Sequence, residues 1–158
     1  MDKKISKIRA SELLPITGLE WDHEGKSELV QIFISYDDRG IHFLQFLYYE
    51  NGKLHLTPRP LRCSAGSKFK MIKLNYPEER LTSITGTHIP RKGGRITSLT
   101  FTTNKNNCYG PFGYIRPVDP EFIFDLGEDW PFDGFHGSNY EDGMLESFGV
   151  YVKPYEPN

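Results

Sequence analysis

The chain has 158 residues, the length of one ordinary domain, and 37% of them are hydrophobic, enough for a single core. Its charges nearly cancel at −2, which sets aside a disordered polyelectrolyte and gives no overall electrostatic pull towards nucleic acid. Fifteen glycines and eleven prolines leave hardly any uninterrupted stretch of the roughly 10–12 residues that a helix needs, so helix is the minority state.

One domain over residues 1–158 is expected, with residues 1–12 as an extended N-terminal strand or arm and 155–158 as a tail. Lys3, Lys4, Lys7 and Arg9 suit a solvated edge strand. The charged start is not followed by the apolar run of a secretory signal, and nothing approaches the ~20 apolar residues that span a bilayer. Strand-like alternation follows at 29–34, 41–49, 69–74, 81–87, 95–103, 121–124 and 148–152. Turn signals separate these runs at 37–40, 50–52, 76–78, 92–94 and 139–143. Turns at such short intervals predict a sandwich, barrel or prism.

One pattern, apolar-x-x-apolar-x-apolar, recurs at Ile41/Leu44/Phe46, Ile96/Leu99/Phe101 and Leu145/Phe148/Val150, and Leu81/Ile84 begins it again. A step of three followed by a step of two is what a β-bulge produces when a strand must recover its inward face. The recurrence implies pseudo-symmetric sheets; chance among β-rich segments is the competing explanation.

Few side chains suggest chemistry. Cys63 and Cys108 lack metal or redox spacing and read as free thiols, consistent with a cytoplasmic protein that has access to the nucleus. His23, His42, His55, His88 and His136 never fall at metal-ligand spacing, so no metal is expected. Glu78 and Glu79 read as surface charges, Trp21 as core, and His136 as a packing or hydrogen-bonding residue, while Trp130 stays open. Gly93-Gly94 lacks the lysine-serine/threonine ending of a phosphate loop. No nucleophile–base pair and no cofactor loop is present, so neither enzyme activity nor a cofactor is expected.

Several runs together resemble the jacalin-related lectins: Gly18-Leu19-Glu20-Trp21-Asp22, Ser98-Leu99-Thr100-Phe101, Thr103-Asn104, Tyr109-Gly110-Pro111-Phe112-Gly113 and Gly134-Phe135-His136-Gly137 leading into Phe148-Gly149-Val150-Tyr151-Val152. The resemblance spans nearly the whole chain. It implies an all-β fold, a β-prism I of three four-stranded Greek-key sheets with pseudo-threefold symmetry, in a plant protein. It also implies metal-independent binding of a mono- or oligosaccharide, with a homodimer and a protein partner as further associations, and no nucleic acid or membrane.

A lectin without metal needs backbone N–H donors, a carboxylate that accepts sugar hydroxyls, and close backbone approach. Matched to the family, the site would take Gly18 before the tryptophan, Gly93 and Gly94 before the serine-leucine-threonine-phenylalanine strand, and the last loop with Asp142, Gly143, Met144 and Glu146. The family's sugar-binding aspartate follows a leucine; here Glu146 follows Leu145, its carboxylate displaced by about one C–C bond length. Asp142 would be a substitute acceptor and Tyr140 a stacking ring. Two readings follow: a lectin for mannose-class glycans in plant stress or defence, or a jacalin-like domain that has lost sugar binding and serves as a protein-interaction module.

Overall fold

The computed structural model describes residues 6–10, 14–61, 63–127, 131–141 and 143–153. Among these residues, twelve strands form three antiparallel four-stranded sheets. The first has the order β5 (Lys53–Leu56), β4 (Gly40–Glu50), β3 (Leu29–Asp37) and β6 (Lys68–Lys73). In the second, β9 (Cys108–Gly113), β8 (Ile96–Thr103), β7 (Leu81–His88) and β10 (Glu121–Asp125) follow the same plan. The third combines both ends of the chain: β1 (Ser6–Arg9), β12 (Leu145–Val152), β11 (Phe132–Asn139) and β2 (Leu19–Asp22). Each sheet is thus a central hairpin flanked by two shorter strands, the β-prism architecture implied by the sequence.

Every central hairpin is bulged at one equivalent point. Opposite Ser35 and Tyr36 stand Phe43 and Ile41, leaving His42 extra. Thr97 is extra opposite Thr87 and His88, and Glu146 opposite Ser138 and Asn139. These are the positions that the three-then-two pattern predicts, so the repeat is structural and not chance. A bulge breaks the in–out alternation and re-aims the inserted side chain. In the third sheet that side chain is a carboxylate.

The inner faces meet around Phe46, Phe101, Phe135 and Phe148, all fully buried. Phe135 stacks on Phe46 and Phe148 at centroid distances of 4.4 and 5.3 Å. Burial of each such ring contributes about 1.5–3 kcal/mol. The strand β11 showed no alternation in the sequence, only a strand-like segment around His136, because glycines interrupt it, yet they are what lets it fit. Gly134 has φ 116°, and a Cβ there would collide with the His23 carbonyl. Gly110-Pro111 similarly hid β9, and β2 and β5 are too short to register as alternation.

One surface assignment is corrected. Glu79 is only 3% exposed, because its carboxylate accepts the Asn75 backbone N–H at 2.9 Å, the Thr103 hydroxyl at 2.7 Å and Asn107 Nδ2 at 2.6 Å. Burial pushes that carboxyl up, but the three donors outweigh it and hold it below its ordinary value. His136 is structural, as its setting suggested: Nε2 lies 2.9 Å from the Ile8 carbonyl oxygen and the ring packs edge-on to Tyr151. Trp21 is half-buried against the core and donates Nε1–H to Asn139 Oδ1 at 3.0 Å. Trp130 lies outside the described residues. Cys63 is half-buried and Cys108 exposed, both as free thiols.

Candidate functional site

Three segments converge at the bulged end of the third sheet: residues 14–18 before β2, residues 89–95 between β7 and β8, and residues 140–144 between β11 and β12. The middle segment is a self-bonded turn in which Gly94 N–H donates to the Arg91 carbonyl at 2.8 Å. Gly94 is buried in it, and a Cβ there would strike the Ile89 carbonyl. Gly93, with φ 79°, forms the exposed tip. The last segment closes on itself through Tyr140 N–H to the Met144 carbonyl and Gly143 N–H to the Tyr140 carbonyl, both 3.0 Å.

The bulge turns Glu146 across the gap onto the first segment. Its Oε2 accepts the Thr17 backbone N–H at 2.9 Å and the Thr17 hydroxyl at 2.7 Å. Its Oε1 accepts Gly18 N–H at 2.7 Å and the Ser138 hydroxyl at 2.9 Å. A carboxylate offers about four lone-pair sites, and four donors fill them. Partial burial would raise the Glu146 carboxyl, but the bonds from Thr17, Gly18 and Ser138 overcome this and hold it below its ordinary value. Opposite, the Tyr140 hydroxyl donates to the Gly94 carbonyl at 2.6 Å. The cavity left among these groups is about 30 Å³, room for ordered water. Arg91, Lys92 and Arg95 line the rim.

Of the residues singled out in the sequence, Gly18, Gly93, Gly94 and Glu146 therefore meet at one end. Gly143 and Met144 point elsewhere: Gly143 packs over Ser64, and the Met144 methyl reaches towards Gly40. Asp142 lies outside the described residues. Thr17 and Ser138 were not foreseen. Nothing local marks them, since Thr17 meets its carboxylate across 129 positions of sequence.

The equivalent bulge in the first sheet holds another polar cluster. His42, 1% exposed, places Nε2 2.7 Å from Asp37 Oδ2 and Nδ1 2.8 Å from Ser64 Oγ. Burial would raise the Asp37 carboxyl, but Arg39 and His42 bring it down to about 2. The composition is that of a serine–histidine–aspartate relay, with Gly143 packed directly against the Ser64 hydroxyl. The cluster ties together three connections at this end, helped by Asn139 Nδ2, which donates to the His42 carbonyl at 2.6 Å. Among the described residues no three His, Cys, Asp or Glu side chains are grouped to hold a metal, and no helix is long and apolar enough to cross a membrane.

A prism of three bulged Greek-key sheets with loops gathered around a carboxylate defines a lectin-type binding module. The Jacalin-like lectin domain family matches residues 16–151, and the chain belongs to that family. Two Arabidopsis thaliana relatives, "Protein RESTRICTED TEV MOVEMENT 1" and "Inactive protein RESTRICTED TEV MOVEMENT 1", are each 37% identical over 155 residues, covering 96% of this chain and 87% of theirs. Among solved structures, single-chain recombinant jacalin superposes with a TM-score of 0.79 at 25% identity, over 98% of this chain and 96% of that one. A mannose-specific jacalin-related lectin from Morus nigra, in complex with mannose, gives 0.73 at 26% identity, over 88% and 89%.

Proposed function

We propose that this chain acts as a recognition module for a protein partner, by binding and without chemistry, instead of as a lectin for free mannose-class sugars. The observation that carries this reading is the Glu146 carboxylate, whose four acceptor positions are taken by Thr17, Gly18 and Ser138. A sugar hydroxyl would have to displace a charge-assisted bond to gain one. The rim supports the same direction, because Arg91, Lys92 and Arg95 do little for a neutral hexose and much for a partner bearing carboxylates. Two Arabidopsis relatives are named for restricted movement, one of them as an inactive protein. The reading includes the defence role inside the cell that the sequence resemblance implies.

A second reading, a lectin for mannose-class glycans, is favoured by the convergence of Gly18, Gly93, Gly94 and Glu146 at one end and by the mannose-bound neighbour from Morus nigra. A glycan array at high protein density, with wild type, Glu146→Ala and Glu146→Asp side by side, separates the two. A blank array for folded wild type supports the protein-partner reading. Mannose-type binding by wild type that disappears in Glu146→Ala would replace it with the lectin reading.

A further inference from the structure

Residues 51–77 hold six of the nineteen Lys and Arg residues and none of the twenty-one Asp and Glu residues. The fold places this stretch at both edges of the first sheet, as β5 and β6. Along β6, Lys68 and Lys70 alternate with Phe69 and Met71, Lys73 follows Ile72, and all three lysines are exposed. Ile72 faces the core. Phe69 and Met71 face outward at 58% and 52% exposure, with Phe69 stacked on Phe33 of β3. Residues 29–36 of β3, the strand bonded to β6, contain no carboxylate. None of the ion pairs among the described residues includes Lys68, Lys70 or Lys73. Among the described residues no strand pairs with the other edge of β6.

Building on the protein-partner reading, we propose that the open edge of β6 receives an extended acidic–apolar segment of a partner protein as a fifth strand. Main-chain hydrogen bonds would come from the unpaired edge, apolar contacts from Phe69 and Met71, and register from carboxylates set against Lys68 and Lys70. The same lysines argue against a second copy of this chain, because pairing β6 with itself sets like charges against each other. An anionic lipid surface would satisfy the charges but leave the edge N–H and C=O groups without partners in an apolar medium. The β6 edge belongs to the first sheet and the Glu146 clasp to the third, so the two can be tested separately.

The probe is a short, capped, fluorescein-labelled peptide of alternating glutamate and valine, read by anisotropy and by amide shifts of the labelled protein. Saturable binding is expected, weakening as salt rises, with shifts centred on residues 68–73. Reversal of two exposed charges in Lys68→Glu/Lys70→Glu should weaken it roughly tenfold, with circular dichroism reporting the fold. A lysine–valine peptide should bind that variant and not the wild type. The proposal is overturned by equal binding to both proteins, by dimerisation through β6, by binding to phosphatidylserine vesicles without binding to the peptide, or by no binding to folded wild type. In the last case a blank glycan array would leave the protein-partner reading standing. Peptide binding alongside mannose binding would overturn that reading and spare this surface.

Discussion

Replacing Glu146 with alanine removes the clasp between the last hairpin and the segment before β2. Four hydrogen bonds to a charged acceptor are lost together. In a buried site each would be worth ~1.5–3 kcal/mol, but Thr17 is exposed and its freed donors rehydrate, so a total of about 2–3 kcal/mol is expected. For a domain of this size that lowers Tm by about 5–10 °C, measurable by differential scanning calorimetry at neutral pH. The difference should also depend on pH. Because the folded carboxyl sits below its ordinary value of 4.5, its stabilisation is complete above that value and is lost as pH falls through the lower, folded one. The gap between wild type and variant must then close in acid. An unchanged Tm at neutral pH, or a gap that persists undiminished well below the carboxylate range, would refute the clasp. Glu146→Asp draws the carboxylate back by about 1.5 Å, too far to keep both Thr17 bonds, and should lose less stability while gaining measurable affinity for mannose on the array.

Three further outcomes follow from the packing and the polar network. Burial depresses His23 and His136 to about 4 from 6.5, so the unfolded chain binds protons first and stability should fall as pH drops from 6.5 towards 4, on the order of 2 kcal/mol for His136; NMR titration of the imidazole Cε1–H should show a midpoint near 4, and one near 6.5 would contradict the burial. Phe135→Ala, at the centre of the stacked rings, should cost about 3–5 kcal/mol in urea unfolding. Tyr140→Phe leaves the Gly94 carbonyl without its donor and should cost about 1 kcal/mol while hydrogen exchange quickens in residues 89–95.

Pseudo-symmetric bulged sheets were legible because the repeat is written in apolar spacing, the steps from Ile41, Ile96 and Leu145 marking both the inward faces and the bulges, whereas the prism came from the family resemblance. Strands that carry their pattern in shape were not legible. The glycines of β11 are chosen for clearance against His23 and Trp21, which are distant in sequence. The candidate site was half visible. Gly18, Gly93, Gly94 and Glu146 could be placed at one end, but whether the carboxylate is open or occupied depends on Thr17 and Ser138, contacts that appear only once the third sheet has formed. Glu79 shows the same limit: an acidic pair in a turn looks solvated until Asn75, Thr103 and Asn107 close around one member.

The third sheet is built from the first two strands and the last two, so it has the longest wait during synthesis. On a ribosome, β3 to β10 can pair into two sheets while β1 and β2 have nothing to pair with, and the Thr17–Glu146 clasp must span nearly the whole polypeptide. The clasped end therefore exists only in a molecule whose translation has run to β12. A fragment released early would display the basic edge of β6 without the clasped end, and quality-control proteases would meet an unpaired β1–β2 segment as the signature of an unfinished copy.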